Sequence, residues 1–121
     1  MAKRILIVDD EVNIRNLYRQ EFEDEGYLVD TAASPEEADE IMEKQSPHLM
    51  ILDIELSGQD GLSYLREVMQ ANRNLQVVIS SAYSSYKDEF SSWLAEAYIV
   101  KSSDLEPLKQ KVQELLEREA S

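Results

Sequence analysis

Three short apolar runs in this chain each end at a charged residue, and this pattern constrains the fold more than any other feature. The runs and the charges that follow them are residues 5–8 with Asp9 and Asp10, residues 49–52 with Asp53, and residues 98–100 with Lys101. Short apolar runs separated by helix-like stretches are typical of buried parallel strands. Because ligands of an open parallel sheet bind beyond the carboxyl ends of its strands, we expect these charged residues to share one edge of the sheet. The sequence therefore predicts one ionic pocket.

Strand-like and helix-like patterns alternate along the rest of the chain. Two further strands are predicted at residues 27–31 and 76–80, and helices are predicted at 12–25, after Ser34, after Gly61, at 83–97 and at 105–116. The segment 83–97 is the weakest of these helices because its serines are poor helix formers. Five repeats of a strand followed by a helix predict a three-layer α/β domain, with a parallel sheet covered on both faces and right-handed crossovers.

The composition narrows the functional classes. A chain of 121 residues has the length of one domain, which we expect to occupy residues 1–121 without an output domain. The net charge of −13 argues against nucleic-acid binding, which requires clustered lysine and arginine residues. There is no cysteine for disulfides or thiolate metal sites, and no apolar run approaches the length of a membrane span. We therefore expect a cytoplasmic domain that binds neither nucleic acid nor membranes.

The predicted pocket brings together groups that need a cation. Two like unit charges about 4 Å apart repel each other by about 4 kcal/mol at an effective dielectric constant near 20, so three neighbouring carboxylates favour a bound cation. Oxygen ligands alone suit a hard divalent ion, and Mg²⁺ in particular is bound by one or two carboxylates together with water and phosphate. Lys101 adds a second positive charge for an anion. The sequence thus predicts a phosphate site in which an aspartate can accept a phosphoryl group.

Four motifs at predicted strand ends resemble the receiver domain of two-component response regulators. They are I-L-I-V-D-D-E at 5–11, D-I-E-L-S-G-Q-D-G at 53–61, Ser81-Ala82, and Y-I-V-K at 98–101. The resemblance covers essentially the whole chain and implies a flavodoxin-like (βα)5 fold, with five parallel strands in the order 2-1-3-4-5. It also implies a phosphorylatable module of a two-component system or phosphorelay, which switches a protein-interaction surface. Such a module is a signalling phosphoacceptor with self-catalysed transfer and slow self-dephosphorylation, not an ordinary enzyme.

The resemblance assigns the metal-binding and acceptor roles to particular residues. Asp53 is implied to be the phosphoacceptor, which takes its phosphoryl group from a phosphohistidine on a sensor histidine kinase or a histidine phosphotransfer protein. It is also implied to bind Mg²⁺, together with Asp10 directly and Asp9 through water. The backbone carbonyl of Glu55 is the expected third protein ligand.

The remaining roles implied by the resemblance concern the response to phosphorylation. Lys101 would pair with the phosphoryl group, and the Ser81 hydroxyl would close onto it. Tyr98 would be the aromatic switch whose rotamer follows Ser81, and Ser80 is an adjacent alternative to Ser81. The signal would then pass to a downstream protein partner or to an output domain that this sequence does not include.

The chain departs from the family pattern in two segments. Ser102 follows Lys101 where the family usually has proline, and Leu56-Ser57 stands where the family usually has Met-Pro. A cis peptide bond before a residue other than proline costs about 2.5–4 kcal/mol, so we expect a trans bond between Lys101 and Ser102. The loop after it is then expected to be rerouted before a helix cap at Asp104.

Other functions remain open at this stage. An aspartyl-nucleophile phosphohydrolase would use a second acid two residues after Asp53, where Glu55 stands, but the rest of that motif is missing. A nucleotide-binding or flavin-binding domain is disfavoured because the chain has only three glycines and no Gly-rich phosphate loop. A pseudo-receiver that binds a partner without phosphorylation is disfavoured because every expected phosphotransfer residue is present. Asp9 and Asp10 alone could equally cap a helix, and we assign no catalytic role to His48, the single histidine.

Overall fold

The computed structural model describes residues 2–55, 61–72, 74–82 and 95–120. Five parallel strands form one sheet in the order β2-β1-β3-β4-β5. The strands are β1 (Arg4–Val8), β2 (Leu28–Ala32), β3 (Leu49–Leu52), β4 (Gln76–Ser81) and β5 (Ala97–Val100). The predicted receiver-like fold class and strand order are therefore confirmed.

Helices are described between most of the strands. They are α1 (Val12–Asp24), α2 (Pro35–Lys44), α3 (Gly61–Ala71) and α4 (Glu106–Ala120). Most of the helix predicted at 83–97 lies outside the described residues, and its last predicted residue, Ala97, is already the first residue of β5. In the described part of the chain, no helix is long and apolar enough to cross a membrane.

Local sequence signals set the ends of the helices. The Ser34 side chain accepts a hydrogen bond from the Glu37 N–H at the start of α2, and the Glu37 carboxylate accepts one from the Ala33 N–H. This pair is a variant of the capping box, in which the Glu37 carboxylate bonds the N–H of the residue before the N-cap instead of the N-cap N–H. Pro35 suits the first turn because its missing N–H has no helical partner there. After α1, Gly26 has a φ of 97°, a conformation that favours glycine and turns the chain towards β2.

Side chains alternate between the two faces of the sheet, and each face has its own apolar cluster. One face packs on α2 and α3, with Leu6, Val8, Met50, Leu52, Val77 and Ile79 from the strands and Ala38, Tyr64, Leu65 and Val68 from the helices. The other packs on α1 and α4, with Ile5, Ile7, Leu49, Ile51 and Val78 from the strands and Tyr18, Phe22, Leu108, Val112, Leu115 and Leu116 from the helices. The sheet is thus the middle layer of three, and its carboxyl edge lies between two packed faces.

Candidate functional site

Asp9 and Asp53 lie side by side at the carboxyl edge of the sheet. The Asp53 N–H donates to the Val8 carbonyl at 2.9 Å, and the Asp9 N–H donates to the Ala32 carbonyl at 3.0 Å. These bonds continue the strand ladders by one residue beyond β1 and β3, which are neighbours in the sheet. Both carboxylates are almost completely buried, with 2% of each residue exposed. Two buried carboxylates at adjacent positions require a compensating positive charge.

Lys101 supplies that charge within the described site. Its Nζ atom lies 2.7 Å from Asp9 Oδ2 and 3.0 Å from Asp53 Oδ2, so one ammonium bridges both carboxylates. The Lys101 N–H donates to the Ser81 carbonyl at 2.6 Å, which fixes the start of the side chain beside the end of β4. Burial lowers the pKa of the Lys101 ammonium, but its hydrogen bonds to Asp9 and Asp53 and their charges outweigh burial and raise that pKa above its ordinary value.

The two aspartates are held by different partners. Asp9 Oδ1 accepts the Glu11 N–H at 2.9 Å, and Asp53 Oδ1 accepts the Glu55 N–H at 2.8 Å. Burial raises the pKa of Asp9, and the hydrogen bonds from Lys101 and from the Glu11 N–H only partly offset that effect. Keeping Asp9 ionised in the folded protein therefore costs free energy, and ionisable groups of this kind are common at binding sites.

The same edge offers a set of oxygen ligands that fits a divalent metal ion. One carboxylate oxygen from each of Asp9, Asp10 and Asp53 lies within 4.8 Å of the other two. Mg²⁺ prefers hard oxygen ligands and completes its coordination with water, so three neighbouring carboxylates suit that ion. Glu55 follows Asp53 in a tight turn, and the ligand role of its backbone carbonyl stays a prediction.

The two serines at the end of β4 point to opposite faces of the sheet. Ser81 is fully buried and follows Val77 and Ile79 in the alternation, so it lies on the face of α2 and α3. Tyr98 is half-buried, pairs with Ile79 in the register and packs against the same cluster. Ser81 and the predicted switch residue Tyr98 thus share one face, and their switching role stays a prediction.

Two residues near the site were not singled out from the sequence. Tyr18 lies in the helix predicted at 12–25, and its hydroxyl is hydrogen-bonded to that of Ser80, with 3.2 Å between the oxygens. Arg15 donates from a guanidinium nitrogen to the Asp9 backbone carbonyl at 2.8 Å. Helical periodicity could predict that Tyr18 points inward, but no sequence signal gives the strand that it reaches.

The other predicted features lie at or away from the site as follows. His48 is at the opposite end of the sheet, where its Nδ1 accepts the Arg4 N–H at 2.9 Å. No cis peptide bond occurs among the described residues, and the bond between Lys101 and Ser102 is trans, as predicted. Asp104 Oδ1 accepts the N–H of Glu106, the first residue of α4, at 3.1 Å, while the N-cap position is Leu105, whose carbonyl accepts the Lys109 N–H. The segment with Leu56 and Ser57 lies outside the described residues.

The comparisons with known proteins agree with this geometry. A profile of the response regulator receiver domain matches residues 5–113. Sporulation initiation phosphotransferase F of Bacillus subtilis (strain 168) is 32% identical over 118 residues, which cover 96% of this chain and 95% of that protein. The virulence transcriptional regulatory protein PhoP of Salmonella typhimurium (strain 14028s / SGSC 2262) is 30% identical over 117 residues, and the match spans only 52% of its length.

Solved structures give the same result. The response regulator TrrA from Thermotoga maritima, in complex with Mg²⁺-BeF, is 43% identical with a TM-score of 0.88, over 93% of this chain and 98% of that one. TrrA in complex with the histidine kinase ThkA is 44% identical with a TM-score of 0.87, over 94% and 98% of the two chains. The chain belongs to the response regulator receiver domain family, and its role is in two-component signalling.

Proposed function

We propose that this receiver domain accepts a phosphoryl group on Asp53 from a phosphohistidine of a sensor histidine kinase or a histidine phosphotransfer protein. The observation that supports this most is the ammonium of Lys101, 3.0 Å from Asp53 Oδ2. A cation at that distance suits the charge that develops on a transferring phosphoryl group. The complex of TrrA with the histidine kinase ThkA supports a kinase as partner.

The residues of the chain would carry the transfer themselves. One carboxylate oxygen of Asp53 would form a bond to phosphorus as the bond from phosphorus to the histidine nitrogen breaks, and the imidazole would leave. Asp10, Asp53 and the Glu55 carbonyl would hold Mg²⁺, with Asp9 acting through water, and the Mg²⁺-BeF complex of TrrA supports this ion. A bound Mg²⁺ would neutralise charge on the transferring group. Lys101 would then pair with the phosphoryl group, so the chain itself would catalyse the transfer. We also propose that the later hydrolysis is slow.

Ser81 and Tyr98 would pass the signal from the site to the surface. In this proposal the Ser81 hydroxyl closes onto the phosphoryl group, and the half-buried Tyr98 ring follows it on the same face of the sheet. The changed surface would bind a downstream protein or an output domain. PhoP, whose length is about twice the matched region, supports an arrangement with an output domain. We also propose that residues 1–121 form one receiver domain and that it works in the cytoplasm.

Intact-mass measurement after incubation with phosphoramidate and Mg²⁺ tests the acceptor. The unmodified protein should gain one phosphoryl group, and Asp53→Asn should gain none because the attacking carboxylate is missing. Asp24→Asn is the matched control, since Asp24 is exposed at the end of α1, and it should be labelled like the unmodified protein. Labelling that persists in Asp53→Asn would disprove the assignment.

A further inference from the structure

A buried pair of hydroxyl groups lies inside the apolar layer between the sheet and α1. The hydroxyl oxygens of Tyr18 and Ser80 are 3.2 Å apart and hydrogen-bonded to each other. Tyr18 is 2% exposed and Ser80 is 1% exposed, so water does not compete for either group. Replacing two such partners by apolar groups of the same shape can leave stability nearly unchanged. Folding alone therefore gives little reason for a hydroxyl pair at this position.

The register of the sheet places Ser80 level with the phosphoacceptor. The last paired residues before the site are Val8 with Leu52, and Leu52 with Ile79. One residue further along each strand, Asp9, Asp53 and Ser80 form a row across β1, β3 and β4. Alternation puts this row on the face of α1, because Ile7, Ile51 and Val78 belong to the cluster on that face. Neighbouring strands are about 4.8 Å apart, so Ser80 is the direct neighbour of Asp53 in the row.

Tyr18 reaches this row from the far side of β3. It is a residue of α1, which contacts β1, whereas Ser80 is on β4, with β3 between the two strands. Burial raises the pKa of the Tyr18 hydroxyl, the bond to Ser80 and the charge of Lys101 lower it, and the charges of Asp9 and Asp53 raise it. The hydroxyl is thus within electrostatic reach of Lys101, Asp9 and Asp53.

The contact also bears on Lys101. The end of β4 holds Lys101 through the bond from the Lys101 N–H to the Ser81 carbonyl, and Ser80 is the residue before Ser81. The hydrogen bond from Tyr18 to Ser80 therefore restrains the end of β4, and the end of β4 positions the backbone of Lys101. A displacement of about 1 Å in a group that orients reactants is enough to reduce a rate strongly.

We propose that Tyr18 is a positioning residue for phosphoryl transfer, which holds the end of β4 beside Asp53 through its hydrogen bond to Ser80 and so aligns Lys101. The inference rests on the proposed function of Asp53. Neither Tyr18 nor Ser80 is among the residues proposed to contact the phosphoryl group or the metal ion. Tyr18 acts only through Ser80.

The first test uses the resting protein and does not depend on phosphorylation. In Tyr18→Phe and in Ser80→Ala, hydrogen exchange of the Lys101 amide, followed by NMR, should become faster by about two- to tenfold, the factor that corresponds to one buried hydrogen bond. Tyr27→Phe is the matched control, because Tyr27 packs against the same cluster, and it should leave that amide unchanged. An unchanged exchange rate in Tyr18→Phe would overturn the proposal.

The second test measures phosphorylation by phosphoramidate with saturating Mg²⁺. The maximal rate should fall by a similar two- to tenfold factor in each variant, while the donor concentration for half-maximal rate stays the same. Because the two residues act through one contact, Tyr18→Phe combined with Ser80→Ala should be no slower than either single variant. The proposal would be overturned if the loss of rate in the variants were matched by a proportional loss of thermal stability. It would also be overturned if the rate losses of the two single variants added up in the double variant.

The outcomes separate this inference from the proposed function. If the unmodified protein gains no phosphoryl group, the acceptor assignment fails, and the positioning role fails with it. If the unmodified protein is phosphorylated and Tyr18→Phe reacts at the same rate, only the positioning role fails.

Discussion

Replacing Lys101 by methionine should destabilise the metal-free protein strongly. The ammonium contacts Asp9 and Asp53 at 2.7 and 3.0 Å, and only 3% of each aspartate side chain is exposed. Removing one partner of a buried ion pair typically costs about 3–5 kcal/mol, because the remaining charge is left buried without compensation. For a domain of this size the melting temperature should fall on the order of 10–20 °C. Methionine keeps most of the chain length, so lost packing adds little.

Thermal unfolding followed by circular dichroism measures this effect, with EDTA and with millimolar Mg²⁺. Mg²⁺ should recover much of the lost stability of Lys101→Met, because an ion that binds only the folded state adds stability by mass action and compensates the same carboxylates. Lys111→Met is the matched control, since Lys111 forms a more exposed ion pair with Glu114 on α4, where such pairs are worth about 0.2–0.5 kcal/mol.

The pH dependence of Lys101→Met gives a second measurement of the same cause. Burial already raises the pKa of Asp9, and without the ammonium that pKa should rise further in the folded state. Groups whose pKa is raised by folding add stability as the pH falls through the raised value towards the unfolded value near 4. The difference in melting temperature between Lys101→Met and the unmodified protein should therefore shrink as the pH falls from 7 towards 4.5. A metal-free Lys101→Met protein that melts like Lys111→Met at pH 7 would refute the reasoning.

Two further substitutions test the surroundings of the site. Asp9→Asn should raise the melting temperature of the metal-free protein at pH 7, because burial raises the pKa of Asp9 and its ionised form opposes folding, while Lys101 keeps its contact with Asp53. The difference in melting temperature from the unmodified protein should narrow on acidification, and a widening difference would contradict this cause. Gly61→Ala should cost about 1–3 kcal/mol in chemical denaturation and slow phosphorylation, because a Cβ at Gly61 would overlap the backbone of Ile54, next to Asp53. Gly26→Ala is the control, because alanine at the φ of 97° of Gly26 is strained and should cost about 1 kcal/mol of stability without slowing phosphorylation. Equal phosphorylation rates in both variants would exclude a positioning effect of Gly61.

The sequence predicts the neighbouring acidic positions because strand pairing sets them. Once β1 and β3 are adjacent parallel strands, the residues that follow them, Asp9 and Asp53, must be neighbours at the carboxyl edge. The alternative reading of the acidic pair as a helix cap is wrong for α1, whose N-cap is Glu11 and has no side-chain capping bond. Burial of the carboxylates follows from the apolar runs before them, so this part of the site needs no tertiary information beyond the strand order.

Other parts of the site depend on distances that the sequence does not specify. Lys101 follows β5, which is separated from β3 by β4, so the contact with Asp53 depends on a long side chain crossing a whole strand. The bond between Tyr18 and Ser80 likewise depends on how closely α1 packs on the sheet. A helical stripe gives the inward face of α1, but ridge packing and side-chain reach decide which strand is contacted.

The two serines at the end of β4 give the site an asymmetry that bears on signalling. Consecutive residues of a strand point to opposite faces, so Ser80 is bonded to Tyr18 on the side of α1, whereas Ser81 lies on the side of α2 and α3 with Tyr98. A phosphoryl group that attracts the Ser81 hydroxyl would pull on a strand end already fixed from the other side. Rotation of the Ser81 side chain then requires less rearrangement than a shift of the β4 backbone, which would break the Tyr18 contact. The conformational response should therefore be concentrated on the face of Tyr98, while the packing of α1 on the sheet is preserved.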